Sequence, residues 1–194
     1  MSNQTDTSAA ILYVTGNAEK FRQAQTTCQE FDIQLEQDRM EAVEIQAESG
    51  APIALDKATK AFVHFQKPVV ISDDSWSIPA LKGFPGPYMS WVNDWFTIED
   101  WLNLTRPLKD RRIILTQFVV YQDADTQKIF YKTLEGVLLT EPRGKTVYPH
   151  SLLVSFDGGK TTNAEFHARG ESATAHLPNV WRDFAEWHGN QHAG

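Results

Sequence analysis

The amino-acid sequence predicts an α/β fold, and three observations carry that prediction. Two short continuous apolar runs, Ile11-Leu12-Tyr13-Val14 and Val69-Val70-Ile71, have the pattern of buried strands. Two segments with helical spacing lie between those runs, so strand, helix, helix and strand follow one another. Farther along, two long β-rich stretches flank a polar turn, which adds an antiparallel hairpin.

Taken in order, residues 1–10 are polar and lack the basic start and apolar stretch of a signal peptide. They read as a disordered lead-in. The first strand ends in Thr15-Gly16-Asn17, a tight turn. Residues 19–31 then form a helix whose one face carries Phe21, Ala24, Cys28 and Phe31, which makes Cys28 a core residue. The second helix covers residues 52–65, with Pro52 in its first turn and Ala54, Ala58, Ala61, Phe62 and Phe65 sharing a face. The next strand delivers Asp73 and Asp74 at its C-terminal end, where α/β folds gather their ligand sites.

Residues 91–104 are rich in tryptophan and read as helix, with Trp91, Trp95 and Trp101 as core or interface residues. Residues 112–121 and 128–139 pair around Asp123-Ala124-Asp125-Thr126-Gln127, as a second lobe or a dimer surface. Val180, Trp181, Phe184 and Trp187 dock a last helix on the body, and residues 189–194 read as a tail. His188 and His192 lack the acidic partner of a helical metal motif. With no linker and no repeat, residues 11–188 read as a single domain.

A net charge of −7 argues against a nucleic-acid polymer as partner, since binding a phosphate chain needs a basic footprint. It leaves room for a single nucleotide, whose charge a metal ion and a few lysines neutralise. One cysteine excludes an intramolecular disulfide, and no apolar run approaches the roughly 18 residues of a membrane span. A cytoplasmic protein is expected.

The chemistry gathers in the first half of the chain. A glycine turn between strand and helix, Thr15-Gly16-Asn17 with Lys20 one turn on, turns backbone N–H groups and a helix N-terminus toward an anion. Asn17 has a second reading, as a simple helix cap. Asp73 and Asp74 in Ser72-Asp73-Asp74-Ser75 offer carboxylate oxygens to a hard divalent cation and a base for an attacking water. A solvated turn is the plain alternative. Glu44 in Glu44-Ile45-Gln46 offers a third metal carboxylate, and Lys57 lies beside the apolar face of the second helix. Gly83-Phe84-Pro85-Gly86-Pro87-Tyr88 is a rigid, sharply turned loop close behind.

Thr-Gly-Asn-x-x-Lys, Glu-x-Gln, a helical lysine, Asp-Asp-Ser and Gly-x-Pro-Gly-Pro-Tyr, in that order, resemble the inosine triphosphate pyrophosphatase family. The similarity continues through Pro142-Arg143-Gly144 to Thr162, Ala164-Glu165 and His176, and covers residues 11–187. The resemblance implies an elongated two-lobed α/β fold with a mixed sheet, a nucleotide cleft between the lobes and a homodimer. It implies magnesium-dependent cleavage of nucleoside triphosphates to monophosphate and pyrophosphate. On matching positions it implies Asp74 and Lys20 as catalytic residues, and Glu44, Asp73 and Asp74 as metal ligands. Thr15, Gly16, Asn17, Lys57, Ser75 and Tyr88 would hold or shape the nucleotide.

The base-reading half departs from the family. Its Phe-Gly-Trp-Asp-Pro becomes Tyr148-Pro149-His150-Ser151-Leu152, which leaves Tyr148 or His150 as rings for a base to stack on. Its Lys-Asn-x-x-Ser-His-Arg becomes Glu171-Ser172-Ala173-Thr174-Ala175-His176-Leu177, where only His176 is kept as a nucleotide contact. Without those donors the 6-keto edge of hypoxanthine or xanthine is read less strictly. The expected substrate is a non-standard or modified nucleoside triphosphate. The alternatives are another pyrophosphate-linked metabolite, or a binding protein that keeps the fold without turnover.

Overall fold

The computed structural model describes residues 10–191, so nearly all of the expected lead-in lies outside the described residues. The first half runs β1 (Ile11–Val14), α1 (Ala18–Gln29), β2 (Leu35–Asp38), α2 (Gly50–Phe65) and β3 (Val69–Ser77). A short β4 (Pro85–Gly86) and the helices α3 (Met89–Trp95) and α4 (Ile98–Thr105) lead to the hairpin of β5 (Arg112–Gln122) and β6 (Gln127–Leu138). The chain closes with β7 (Val154–Ser155), α5 (Asn163–Ala168) and α6 (Val180–Gln191). One mixed sheet holds the strands in the order β2-β1-β3-β5-β6-β7, with β4 added to β3. β1 runs parallel to β2 and β3, and the remaining pairs are antiparallel.

Three apolar clusters hold these elements. Ala24 and Cys28 of α1 and Val180, Trp181 and Phe184 of α6 pack on Tyr13, Val70 and Val119. On the other face, Ala54, Ala58 and Ala61 bring α2 down onto Leu12, Val69 and Val120. Gly50 permits the closest approach, since a Cβ there would stand 2.7 Å from the Phe118 ring and 3.0 Å from Ser75 Cβ. The far halves of β5 and β6 belong to a second lobe, where Ile113, Leu115, Leu134 and Leu138 join Met89, Trp101, Leu102 and Leu153. Trp101 is fully buried at the centre of this cluster, and truncating such a ring costs about 3–5 kcal/mol.

The two lobes share strands, and a polar belt marks their junction. Asp74, Gln117 and Lys132 lie side by side across β3, β5 and β6, and Ser75, Thr116 and Thr133 form the next row. Pairing of β1 with β3 ends at Tyr13 opposite Val70, while β4 begins at Gly86 opposite Trp76. The carboxylates of β3 lie in the interval between those two partners.

Several elements differ from the sequence expectation. β3 does not stop at Ile71. It continues to Ser77 because β5 pairs with it residue by residue, so Asp73 and Asp74 are mid-strand and take opposite faces. β2 went unread because only Leu35 of its four residues is buried, as suits a sheet edge. The tryptophan-rich helix is two helices. Phe96 is extended, and Thr97 restarts the helix through a capping box with Asp100. α6 reaches Gln191, so the expected tail is helical up to that residue, while His192 lies outside the described residues.

Candidate active site

The site is built around the C-terminal end of β1. Thr15 and Gly16 leave the strand and Asn17 caps α1, its Oδ1 accepting from the backbone N–H groups of Glu19 and Lys20 at 2.9 and 3.0 Å. Asn17 therefore does cap α1. Thr15 Oγ1 accepts from the N–H of Asn17 at 3.1 Å, which tightens the turn. Nothing lies within 4 Å of where a Cβ on Gly16 would stand, and its φ is not left-handed. The fold itself makes no demand for glycine there.

From this turn α1 carries Lys20 to Asp74, with Nζ 2.7 Å from Oδ2. Burial pulls the Lys20 ammonium toward neutrality, and the Asp74 charge and hydrogen bond more than offset it, so its pKa is raised. On the opposite face of β3, Lys57 Nζ stands 2.8 Å from Asp73 Oδ2 and 2.8 Å from Glu44 Oε1. Burial again opposes the charge of Lys57, and its two carboxylates overcome it. Both lysines are ammonium ions at neutral pH.

Two cavities flank the strand. One of 440 Å³ lies between α1, the junction of β3 and β5, and residues 170–181, and it takes in Lys20, Asp74 and Gln117. The other, of 210 Å³, is lined by Thr15, Gly16, Glu44 and Lys57. Ser72 lines both, and its Oγ lies 2.5 Å from the hydroxyl of buried Tyr13. A cavity of the larger size is of the order that ligand sites occupy, about 300–1,000 Å³.

The expected metal set is not assembled as a set of three. Glu44 and Asp73 converge through Lys57, whereas Asp74 points to the other face, and no group of three His, Cys, Asp or Glu side chains among the described residues is arranged to hold a metal ion. Adjacent residues of a continuous strand point apart, which is the physical reason. Tyr88 acts on the segment before α2, its hydroxyl donating to the carbonyl of Ala47 at 3.1 Å. Gly83 and Gly86, at φ of +96° and +63°, shape the loop that brings Tyr88 there.

Other expected contacts are not brought to either cavity. Ser75 is packed beneath Gly50. His150 is 7 % exposed, with Nδ1 2.7 Å from Asn93 Oδ1 and its ring 5.2 Å from that of Trp76. It is a core residue of the second lobe and offers no face to a base. Burial, with the charge of His167 adding to it, pulls its pKa down to about 4. Tyr148 is exposed beside it and His176 is exposed on a turn before α6. Cys28 is fully buried and its thiol is pushed up to about 12 by burial, which makes it inert as a nucleophile.

Sequence reasoning gave no site role to Tyr13 or Gln117, and of residues 171–177 it kept only His176, whereas Ser172, Thr174, Ala175 and Leu177 line the larger cavity. Ser72 was in view as part of Ser72-Asp73-Asp74-Ser75, but its bond to Tyr13 has no local signal. Gln117 does have one, since Thr116-Gln117 interrupts an apolar strand.

A profile of the Ham1 family matches residues 11–187, all but the two ends of the chain. The chain belongs to the Ham1 family. A dITP/XTP pyrophosphatase of Ignicoccus hospitalis is 31% identical over 182 residues, which cover 92% of this chain and 96% of that one. A dITP/XTP pyrophosphatase of Saccharolobus solfataricus is 28% identical over 177 residues, covering 91% and 92%. Among solved structures, a Ham1 protein of Staphylococcus aureus superposes with a TM-score of 0.74 at 17% identity, over 94% of this chain and 99% of that one. A HAM1 protein of Coxiella burnetii gives 0.73 at 19%, over 94% and 98%. The Ham1 fold, with its mixed sheet and two lobes, is thus the fold expected from the sequence.

Proposed function

We propose that this Ham1 chain hydrolyses a non-standard or modified nucleoside triphosphate to the monophosphate and pyrophosphate. The observation that carries the reading is the pair of lysine–carboxylate groups on opposite faces of β3, beside the open glycine turn at the end of β1. The relatives named dITP/XTP pyrophosphatase support the reaction class.

In this reading the turn at Thr15, Gly16 and Asn17 receives phosphates, and the space at Gly16 is room for their oxygens. Lys20 and Lys57 neutralise phosphate charge. Asp74 accepts a proton from the attacking water. The fit to a divalent ion rests on Glu44 and Asp73, two hard-oxygen donors that already converge on a cation, the Lys57 ammonium. Two carboxylates completed by phosphate oxygens and waters are how proteins hold magnesium. When bound, that ion neutralises triphosphate charge and makes the reacting phosphorus more electrophilic.

The net charge of −7 favours a single nucleotide over a nucleic-acid polymer. No helix among the described residues is long and apolar enough to cross a membrane, and the lone cysteine supports a cytoplasmic setting. Trp91 and Trp95 stand exposed on one face of α3 with rings 5.9 Å apart, which supports a homodimer; sedimentation of the purified chain tests it.

The test of function is pyrophosphate release from a panel of standard, inosine, xanthosine and modified nucleoside triphosphates, with magnesium and with excess chelator. Turnover on at least one member that disappears in chelator is expected. Silence across the panel would redirect the reading to another pyrophosphate-linked metabolite or to a binding protein, and full activity in chelator would remove the metal.

A further inference from the structure

Among the described residues, Gln117 is the uncommitted amide in the larger cavity. The other amide and hydroxyl side chains that line it are already bonded. Gln23 donates to Glu19, Thr26 and Thr27 to carbonyls of their own helix, and Asn179 to Thr27. Ser172 bonds Thr174, and Ser72 bonds Tyr13. Gln117 lines the same cavity, is half-buried, and makes no side-chain hydrogen bond among the described residues. With no partner in the protein, its amide is available to a molecule in the cavity.

Its position says what that is. Gln117 is directly opposite Asp74 in the antiparallel pair of β3 and β5, so the two side chains leave the same face of the sheet. Directly opposed residues have Cβ atoms about 4.5–5.5 Å apart, which lets the amide and the carboxylate reach one small molecule between them. Asp74 Oδ2 is bonded to Lys20, which leaves Oδ1 for that molecule. On the other side of Gln117, Lys132 is held by Asp183 at 2.8 Å and does not compete.

We propose that Gln117 is a positioning residue for the water that Asp74 activates. The inference rests on the pyrophosphatase reading above. The water gives one O–H to Asp74 and the other to the Gln117 amide oxygen, which turns its lone pair toward the α-phosphorus. The oxygen–phosphorus bond then forms and the bridge between α-phosphorus and β-phosphate breaks. Pyrophosphate leaves with the bonding electrons, and the water's proton passes to Asp74. Gln117 neither gains nor loses a proton. Its work is orientation, and misplacing a reacting group by about 1 Å can cost about a hundredfold.

The test compares the wild-type chain with Gln117→Met, which keeps length without the amide, and Gln117→Thr, a strand-forming residue too short to reach. Steady-state kinetics with magnesium use the best substrate of the panel. Calorimetry measures binding of the same nucleotide with a methylene group in the α–β bridge. Both variants should lose about 10- to 100-fold in kcat, with KM and analogue affinity within about threefold of wild type. Thermal melts should stay close to wild type, because the side chain is half-exposed and bonds to nothing. Unchanged kcat overturns the inference, as does a loss carried by KM and analogue affinity together, which would make Gln117 a substrate contact. A wild-type chain silent on the whole panel would sink the pyrophosphatase reading and this one with it. An active wild type with unaffected variants sinks this one alone.

Discussion

The two faces of β3 carry the same residue types to different ends. On one, Lys20 meets a single carboxylate, Asp74, at the wall of the larger cavity. On the other, Lys57 is shared between Asp73 and Glu44 beside the smaller one. A carboxylate with one cationic partner keeps an oxygen free for a water. In the proposed function, the two carboxylates around Lys57 are where a divalent ion would replace the ammonium. Strand geometry alone separates the two adjacent aspartates, since consecutive side chains point apart, and the proposed function gives them different roles.

The largest effect is expected from Asp74→Asn. The asparagine keeps the shape and loses the base, so turnover should fall at least about a hundredfold, within the range of about 10²–10⁴ that general base catalysis supplies. Near-normal turnover in a steady-state assay would take Asp74 out of its role. A second probe sharpens the phosphate end. Gly16→Ala fills space that the free fold leaves open, so the melting temperature should be unchanged while KM rises about tenfold, a cost of about 1.4 kcal/mol. A variant that melts early with normal KM would make Gly16 structural.

Leu177 lines the larger cavity, at a position where the sequence resemblance implies an arginine. Competition assays should show inosine over adenosine triphosphate favoured by less than about a hundredfold, because a pocket without matched donors discriminates weakly. A larger preference would mean that groups elsewhere read the 6-keto edge.

The smallest effect concerns His150, buried in the second lobe. Its folded pKa of about 4 lies below the roughly 6.5 of an unfolded histidine, so the unfolded chain binds the extra proton first. The stability that His150 contributes is complete above about pH 6.5 and is lost as pH falls toward 4. Thermal melts at pH 7 and 4.5 should separate more for wild type than for His150→Gln. Equal separation would show that other groups govern the acid limb.

Much of this was legible in the sequence where local rules decide. The strand–turn–helix at residues 11–29, the alanine face of α2 and the hairpin all follow from periodicity and turn chemistry, and the structure holds them nearly where expected. The candidate residues Lys20, Asp74, Lys57 and Glu44 were named from residue type and order, and the structure joins them in ion pairs. Their partition between two faces was not legible, because it depends on β5 pairing with β3 through Ser77. The burial of His150 escaped for the same reason, since Asn93 and Trp76 reach it from distant parts of the chain.

The most direct measurement of the divided roles is turnover against magnesium concentration for Asp73→Asn and Asp74→Asn. Asp73→Asn should need more magnesium for half-maximal rate and recover much of its turnover when magnesium is raised. Asp74→Asn should keep the wild-type magnesium dependence and stay slow at saturation. Identical magnesium responses in the two variants would contradict the division of labour across β3.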